Sequence, residues 1–497
     1  MRAVLFGHDE SVTLRRYLPL LALLLVGCLP VPRVELDLNL PPPTFWVAAA
    51  DIETEYVNIA GFPDPNTPAR FNRALYLRYF SSQNTHLDTI LILMPGIFGG
   101  ATSLDLLARE LTASLPNTEV WAVDRRANLL EDRSQMRAAI RQQNGELAWR
   151  YYVQNVGTSE GFTRRDPNGL GFMRRWTLEL HLEDLHRIVL RANERAERVV
   201  LGGHSLGASM ASYYAAYRVA EGAGQDYLDG LLLIDGALGR TGGYDRAPIG
   251  LNLGPLELLP GTESLEAGRG EPYLAAGLGP RFHAGREALA LLARFAPEAP
   301  APAGLFSFPL TNRAALGISE DDSYAVATVF SSSVGQTVDA ELGGNLGAVL
   351  LGGVMGLGSR GVVGVAEGAS FVDWERGDSA SDVSDIMDVA VSWATLETNR
   401  SEWYFPLRLA LDIGEHEITL QNEVNYIPNA EVSLPTLAIG AARGLAPSLD
   451  DFAAYNNARV GSPFTAYVLP SHTHLDIVQA ENNPLVSLTG LWLRQFR

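Results

Sequence analysis

Val199-Val200-Leu201-Gly202-Gly203-His204-Ser205-Leu206-Gly207-Ala208-Ser209-Met210 is the stretch on which the reading of this chain turns. A β-branched, apolar run enters a Gly-x-Ser-x-Gly pentapeptide and leaves through small residues into a helical pattern that extends to Ala220. A strand that turns sharply into a helix needs glycine on either side of its tip, so that no Cβ stands between the two elements. The residue at the tip is left in a strained backbone conformation, its side chain pushed outward at the positive end of the helix. Here that residue is Ser205.

Reading outward on both sides gives the same alternation. Thr89–Leu93 is a continuous apolar run, the mark of a strand covered on both faces. It ends in Met94-Pro95-Gly96-Ile97-Phe98-Gly99-Gly100 and is followed by a helical stretch, Ser103–Leu115. A short buried strand, Val120–Val123, then stops at Asp124-Arg125-Arg126, and helical spacing runs from Trp176 to Ala196. After the Ser205 turn and its helix comes the strand Leu231–Ile234, closed by Asp235-Gly236. Upstream, Glu55–Ile59 and Ala74–Phe80 read as strands flanking a turn-rich segment at 61–68; near the end, Thr436–Ile439 and Phe464–Leu469 read as two more. Residues 127–170 follow no single period. Strands alternating with helices at this spacing predict an α/β fold, a mostly parallel central sheet with helices on both faces.

Bulk composition removes several classes of function. With 47% hydrophobic and 19% charged residues over 497 positions, the chain buries a large core. Its 57 acidic against 38 basic residues give a net charge of −19, which repels nucleic acid. The single cysteine, Cys28, excludes an intrachain disulfide and a cysteine-rich metal site. Arg15 and Arg16 precede an apolar run, Leu18–Val26, that stops at Gly27-Cys28 and is too short to span a bilayer. Leu25-Val26-Gly27-Cys28 resembles the lipobox of bacterial lipoproteins, which implies acylation at Cys28. Residues 1–27 are then a signal peptide and the proline-rich 28–49 a tether. Leu29 after the cysteine resembles the outer-membrane sorting pattern, so the expected location is the cell envelope of a Gram-negative bacterium.

Met94 to Gly100, Asp124 to Arg126, the turn at Ser205 and a late His474-Leu475-Asp476 together resemble the α/β-hydrolase superfamily, in which Ser205 is the nucleophile at the elbow. The resemblance covers about 50–245 and 431–497, leaving 246–430 as a cap inserted between two strands. Within it, 343–359 is uncharged and glycine-rich; it reads either as an apolar lid or as a closely packed core segment. The superfamily's chain order implies a histidine after the last strand. His474, in a His-Leu-Asp context like that of bacterial and acid lipases, is the expected base, with His472 as its competitor. The acid is less determined, because the usual loop after Thr436–Ile439 reads Gly440-Ala441-Ala442-Arg443-Gly444 and offers no carboxylate before Asp450 and Asp451. Hydrolases resembling pancreatic lipase take the acid from the preceding strand, which here is Asp235. The oxyanion hole falls by position on the backbone N–H groups of Leu206 and Ile97, or Phe98 in place of Ile97.

His204 is expected to pack or hydrogen-bond, and Asp124-Arg125-Arg126 to form structural ion pairs. No metal-ligand spacing, Walker loop or dinucleotide fingerprint is present, so no metal or cofactor is expected. The expectation is a lipid-anchored extracytoplasmic serine hydrolase cleaving a small-molecule or lipid ester. Thioesters, amides, lactones and peptides are rival substrates, and a catalytically silent binding protein on the same fold is the rival from another class.

Overall fold

The structure is a computed structural model that describes residues 42–236, 251–253, 256–259, 261–275, 279–324, 330–344, 360–377, 379–415, 424–459 and 461–496. Cys28, the signal peptide and residues 28–41 of the tether lie outside the described residues, as does 345–359 of the glycine-rich run. Among the described residues no helix is long and apolar enough to cross a membrane.

Eight strands form the central sheet: β1 Glu53–Ala60, β2 Arg73–Phe80, β3 Thr89–Met94, β4 Thr118–Asp124, β5 Arg198–His204, β6 Gly230–Ile234, β7 Thr436–Arg443 and β8 Phe464–Thr473. They lie in the order β1-β2-β4-β3-β5-β6-β7-β8. β1 pairs antiparallel with β2 and β2 antiparallel with β4, while every pairing from β4 to β8 is parallel. β3, β4 and β6 are buried along their whole length, as the uninterrupted apolar runs require, whereas the edge strand β1 is half exposed.

Helices cover both faces. On one side Asp105–Ser114 and Pro484–Leu493 bring Leu104, Leu107, Leu111, Leu485, Leu488 and Trp492 into one buried cluster with β3, β4 and β7. On the other, Leu178–Asn193 and Leu206–Ala216 pack Leu182, Leu185, Met210 and Tyr214 against β3 and β5. A third buried cluster unites Trp149, Tyr152 and Trp176 with Leu291 of the helix Pro280–Phe295, Trp374, Trp393 and Trp403. The stretch between β4 and β5 therefore packs with residues from between β6 and β7, two neighbouring strands with 201 residues between them in sequence.

Parallel register aligns the strand ends. Met94 pairs with Gly203, His204 with Ile234, and Ile234 with Ile439. The residues that follow Met94, His204 and Ile234, namely Pro95, Ser205 and Asp235, leave the sheet side by side at its carboxyl edge, where an open α/β sheet places its ligand crevice, while β7 runs on to Arg443 paired with β8. β8 runs ten residues and delivers His474 to the same edge.

Candidate active site

Ser205 occupies φ 59°, ψ −125°, a combination almost closed to residues with a Cβ. It is held there from both sides: its N–H donates to Ile234 O at 2.9 Å, and its carbonyl accepts from Ala208 N at 3.0 Å. The flanking glycines permit the turn because a Cβ on Gly203 would meet the Gly207 backbone, and one on Gly207 would meet the Met94 carbonyl. Seven described non-glycine residues have positive φ, and three of them, Phe98, Ser205 and Asp235, belong to this edge of the sheet. Concentration of strain at one place marks a functional site more sharply than any single outlier.

Asp235 follows β6, its N–H donating to Ile439 O at 2.7 Å on β7. Its carboxylate is fully buried and accepts four hydrogen bonds. Oδ1 takes Ala441 N at 3.0 Å and Ala446 N at 2.9 Å; Oδ2 takes Leu445 N at 3.0 Å and His474 Nδ1 at 2.6 Å. Burial pushes this carboxyl upward, but the hydrogen bond and charge of His474, with the N–H groups of Leu445 and Ala441, outweigh it and hold the acid below its ordinary value.

His474 is fixed beside the turn. His204 Nε2 donates to the His474 carbonyl at 2.7 Å, and the two rings lie 4.3 Å apart between centroids. Burial, followed by the nearby His474, lowers His204 to about 3, so it remains the neutral, packing histidine expected of it. The three residues Ser205, His474 and Asp235 are 6%, 2% and 0% exposed, so all three are shielded from bulk water.

The competitors lie elsewhere. His472 is buried on β8 with neither ring nitrogen hydrogen-bonded, pushed down to about 4 chiefly by burial, and it makes no hydrogen bond to Asp235. Asp451 accepts from the N–H and hydroxyl of Ser448 at 2.9 and 3.0 Å in a capping role. Asp450 is exposed in the same turn, and neither carboxylate bonds a histidine.

Leu206, one of the expected oxyanion donors, opens its helix with no side-chain cap. On the loop after β3, Gly96 stands against the serine: a Cβ there would lie 2.9 Å from Ser205 Cβ. Gly99 N donates to Gly96 O at 3.1 Å and Gly100 N to Arg400 O at 2.6 Å, while no described backbone hydrogen bond uses the N–H of Ile97 or Phe98. Ile97, Phe98, Leu206 and Phe405 pack in one apolar cluster, with Phe98 edge-on to Phe405 at 5.5 Å.

The structural ion pairs expected at the end of β4 are present. Arg126 clasps Asp184 through two bonds of 2.7 and 2.6 Å, and Arg125 Nε donates to Glu402 at 2.7 Å. Sequence reasoning passed over Glu402 and over the N–H cradle around Asp235, the one because its partner is 277 residues away, the other because it is backbone.

A candidate lipase from Sulfolobus solfataricus has a solved structure that aligns with 92% of this chain and 97% of its own at 15% identity, with a TM-score of 0.51. This chain has the α/β-hydrolase fold. An esterase from Thermogutta terrifontis, at 13% identity over 89% of this chain and 99% of its own, overlays more loosely at a TM-score of 0.37. An epoxide hydrolase from Mycobacterium thermoresistibile does the same at 0.39, with 12% identity over 89% and 98%. No protein-family model and no curated protein matches the chain. At such identities the α/β-hydrolase likeness speaks for architecture alone, and function rests on the residues at the sheet edge.

Proposed function

We propose that this protein is a serine hydrolase that cleaves carboxylic esters through an acyl-enzyme. The observation that carries the reading is the buried Asp235–His474 hydrogen bond, 2.6 Å long, at the sheet edge that holds Ser205 in its strained turn. A serine hydroxyl needs a base to become a nucleophile, and a histidine serves best when its other nitrogen is held by a carboxylate. Asp235 accepts from His474 Nδ1–H, which leaves Nε2 with the lone pair. Nε2 takes the Ser205 proton as Oγ bonds to the ester carbonyl carbon. The resulting oxyanion is met by the N–H of Leu206 and that of Ile97 or Phe98. Collapse of this intermediate breaks the C–O bond, His474 returns the proton to the departing alcohol, and water repeats the sequence to free the acid.

The partly buried apolar side chains of Ile97 and Phe98, on the loop whose Gly96 packs against the serine, and of Leu206, next to it in the chain, support a substrate with an apolar acyl or alcohol group, lipid esters among them. None of these steps calls on a cofactor. From the sequence alone we further propose that Cys28 carries a lipid anchor and holds the enzyme in the cell envelope.

Labelling with a fluorophosphonate probe tests the reading. Wild-type protein is expected to label, and Ser205→Ala and His474→Ala to lose labelling while remaining folded. Labelling undiminished in Ser205→Ala overturns the nucleophile, and a folded wild type that resists the probe favours a binding protein on the same fold.

A further inference from the structure

The loop after β3 holds itself by the Gly99 N to Gly96 O bond and takes its other donors from outside. Its carbonyls at Pro95, Gly96 and Gly99 converge on one side, and buried carbonyl groups need donors. Arg125 supplies them: Nη1 donates to Pro95 O at 3.0 Å, and Nη2 to Gly96 O at 2.7 Å and Gly99 O at 3.0 Å. Only a guanidinium has enough donors, in a fixed plane, to serve three carbonyls and still bond a carboxylate. The remaining direction, Nε, meets Glu402 at 2.7 Å, and the two side chains are 1% and 0% exposed. A buried cation without that counter-charge would be strongly destabilised.

Glu402 is itself fixed within a short polar segment, 398–403, bonded on both sides. Toward the loop, Glu402 N donates to Phe98 O at 2.7 Å, Arg400 O accepts from Gly100 N at 2.6 Å, and Ser401 bridges Gly99 in antiparallel fashion. Away from it, Asn399 Nδ2 donates to Glu287 at 2.8 Å and Glu131 at 2.9 Å, and Trp403 N donates to Glu131 at 2.8 Å.

These bonds determine where one N–H points. Gly96 C=O and Ile97 N–H belong to a single trans peptide unit and so face opposite ways. Holding Gly96 O on Arg125 Nη2 at 2.7 Å, with Gly99 N as a longer second donor at 3.1 Å, turns the Ile97 N–H to the other side of the loop, and Gly96 is the residue packed on Ser205. We infer that Glu402, acting through Arg125, is a positioning residue for the oxyanion hole, and that Ile97 supplies the loop's donor. The inference rests on the serine-hydrolase reading. It makes the residues between β6 and β7 part of the catalytic apparatus, beyond any role as a cover.

The test compares Arg125→Lys, Glu402→Leu and Glu402→Gln with wild type, by p-nitrophenyl butyrate hydrolysis, inhibition by a trifluoromethyl ketone and thermal melting. Lysine keeps the charge but has too few donors to serve three carbonyls and Glu402 at once, and leucine removes both the counter-charge and the acceptor. Both variants are expected to lose about 10- to 100-fold in kcat, toward the scale of removing one oxyanion donor, with KM changed by less than about threefold. Because the ketone forms a tetrahedral oxyanion adduct, its Ki should rise by the same factor. In Glu402→Gln the amide oxygen still accepts from Arg125 Nε although the charge is gone, so kcat and the ketone's Ki should return most of the way to wild type while the melting temperature stays lowered. Folded Arg125→Lys and Glu402→Leu with unchanged kcat overturn the inference. So does a loss of activity that tracks the melting temperature while the ketone's Ki stays fixed, which would make the pair a purely structural one. If wild type neither hydrolyses the ester nor takes the fluorophosphonate, the serine-hydrolase reading has failed and the positioning role falls with it.

Discussion

Replacing Asp235 by Asn changes one oxygen to an NH2 group in a site where all four contacts are known. The amide oxygen can keep the Oδ1 position, accepting from Ala441 N and Ala446 N. The NH2 must then take the Oδ2 position, facing two donors, Leu445 N–H and His474 Nδ1–H. The histidine can relieve its half of this conflict by moving its proton to Nε2 and accepting at Nδ1. That is the wrong tautomer, since Nε2 then has no lone pair for the Ser205 proton. An equivalent exchange in a serine protease triad lowers kcat by about 10⁴-fold, and a loss of that order is expected here. Stability falls as well. One charge-assisted hydrogen bond is lost, worth about 1.5–3 kcal/mol, and the Leu445 N–H is left against a donor at about 1–3 kcal/mol, giving roughly 2.5–6 kcal/mol in all. Initial rates on a chromogenic ester, with melting curves to confirm the fold, measure both. A folded Asp235→Asn protein within tenfold of wild-type kcat would refute the assignment of Asp235 as the group that orients His474.

Two further outcomes follow from the same geometry. Ser205→Gly should be more stable than Ser205→Ala by about 1–2 kcal/mol, because glycine relieves strain of about 1–3 kcal/mol at this φ and ψ and gives back under 1 kcal/mol in chain entropy; equal denaturation midpoints would mean that the turn is not strained. The stability that Asp235 contributes has a defined pH window, since its folded pKa lies below the unfolded value of about 3.9. That contribution is present above pH 4 and is lost as the pH falls through the folded value. Glu287 and Glu402, pushed up to about 7 chiefly by burial, act with opposite sign, favouring the fold at low pH and losing that contribution as the pH rises through 7. The difference in melting temperature between wild type and Asp235→Asn isolates the aspartate: it should shrink below pH 4, and a difference constant from pH 2 to 6 would contradict the depressed pKa.

The central sheet is legible in sequence because strands covered on both faces must be apolar at every position, as Thr89–Met94 and Gly230–Ile234 are. Helix ends are less so. The helical pattern after Ser205 runs to Ala220 with no breaker, yet the helix stops at Ala216. Tyr217 bridges Tyr426 and Arg218 N donates to Asn425 O at 2.8 Å, so a partner two hundred residues away draws the chain into an extended pairing. Residues 127–170 resist any period because they fold as short pieces, Ser134–Gln142 and Glu146–Trp149, the latter continuing into a wider turn at Arg150–Gln154. The polar run Asn399-Arg400-Ser401-Glu402 reads as surface, although Asn399 and Glu402 are wholly buried. Only the flanking Trp403-Tyr404-Phe405 hinted that these charges sit inside.

The missing carboxylate after β7 has a structural answer. Asp235 and the loop after β7 leave neighbouring strands at the same level, as the bond from Asp235 N to Ile439 O shows. Moving an acid from one loop to the next therefore displaces it by one strand spacing, about 4.8 Å, well within what a side chain and a change of turn can absorb. The end of β7 and the loop after it are shaped for a neighbour's carboxylate, presenting the N–H groups of Ala441, on the strand, and of Leu445 and Ala446, beyond it, to Asp235. It also has no side chain at Gly444, where a Cβ would collide with Asp235 Oδ2. A resident carboxylate there would meet Asp235 at close range, and two like charges sharing one buried site cannot both stay ionised. The absence of an acid from 440–444 and the presence of one at 235 are thus a single feature, in which one strand supplies the charge and the next supplies the donors that keep it charged.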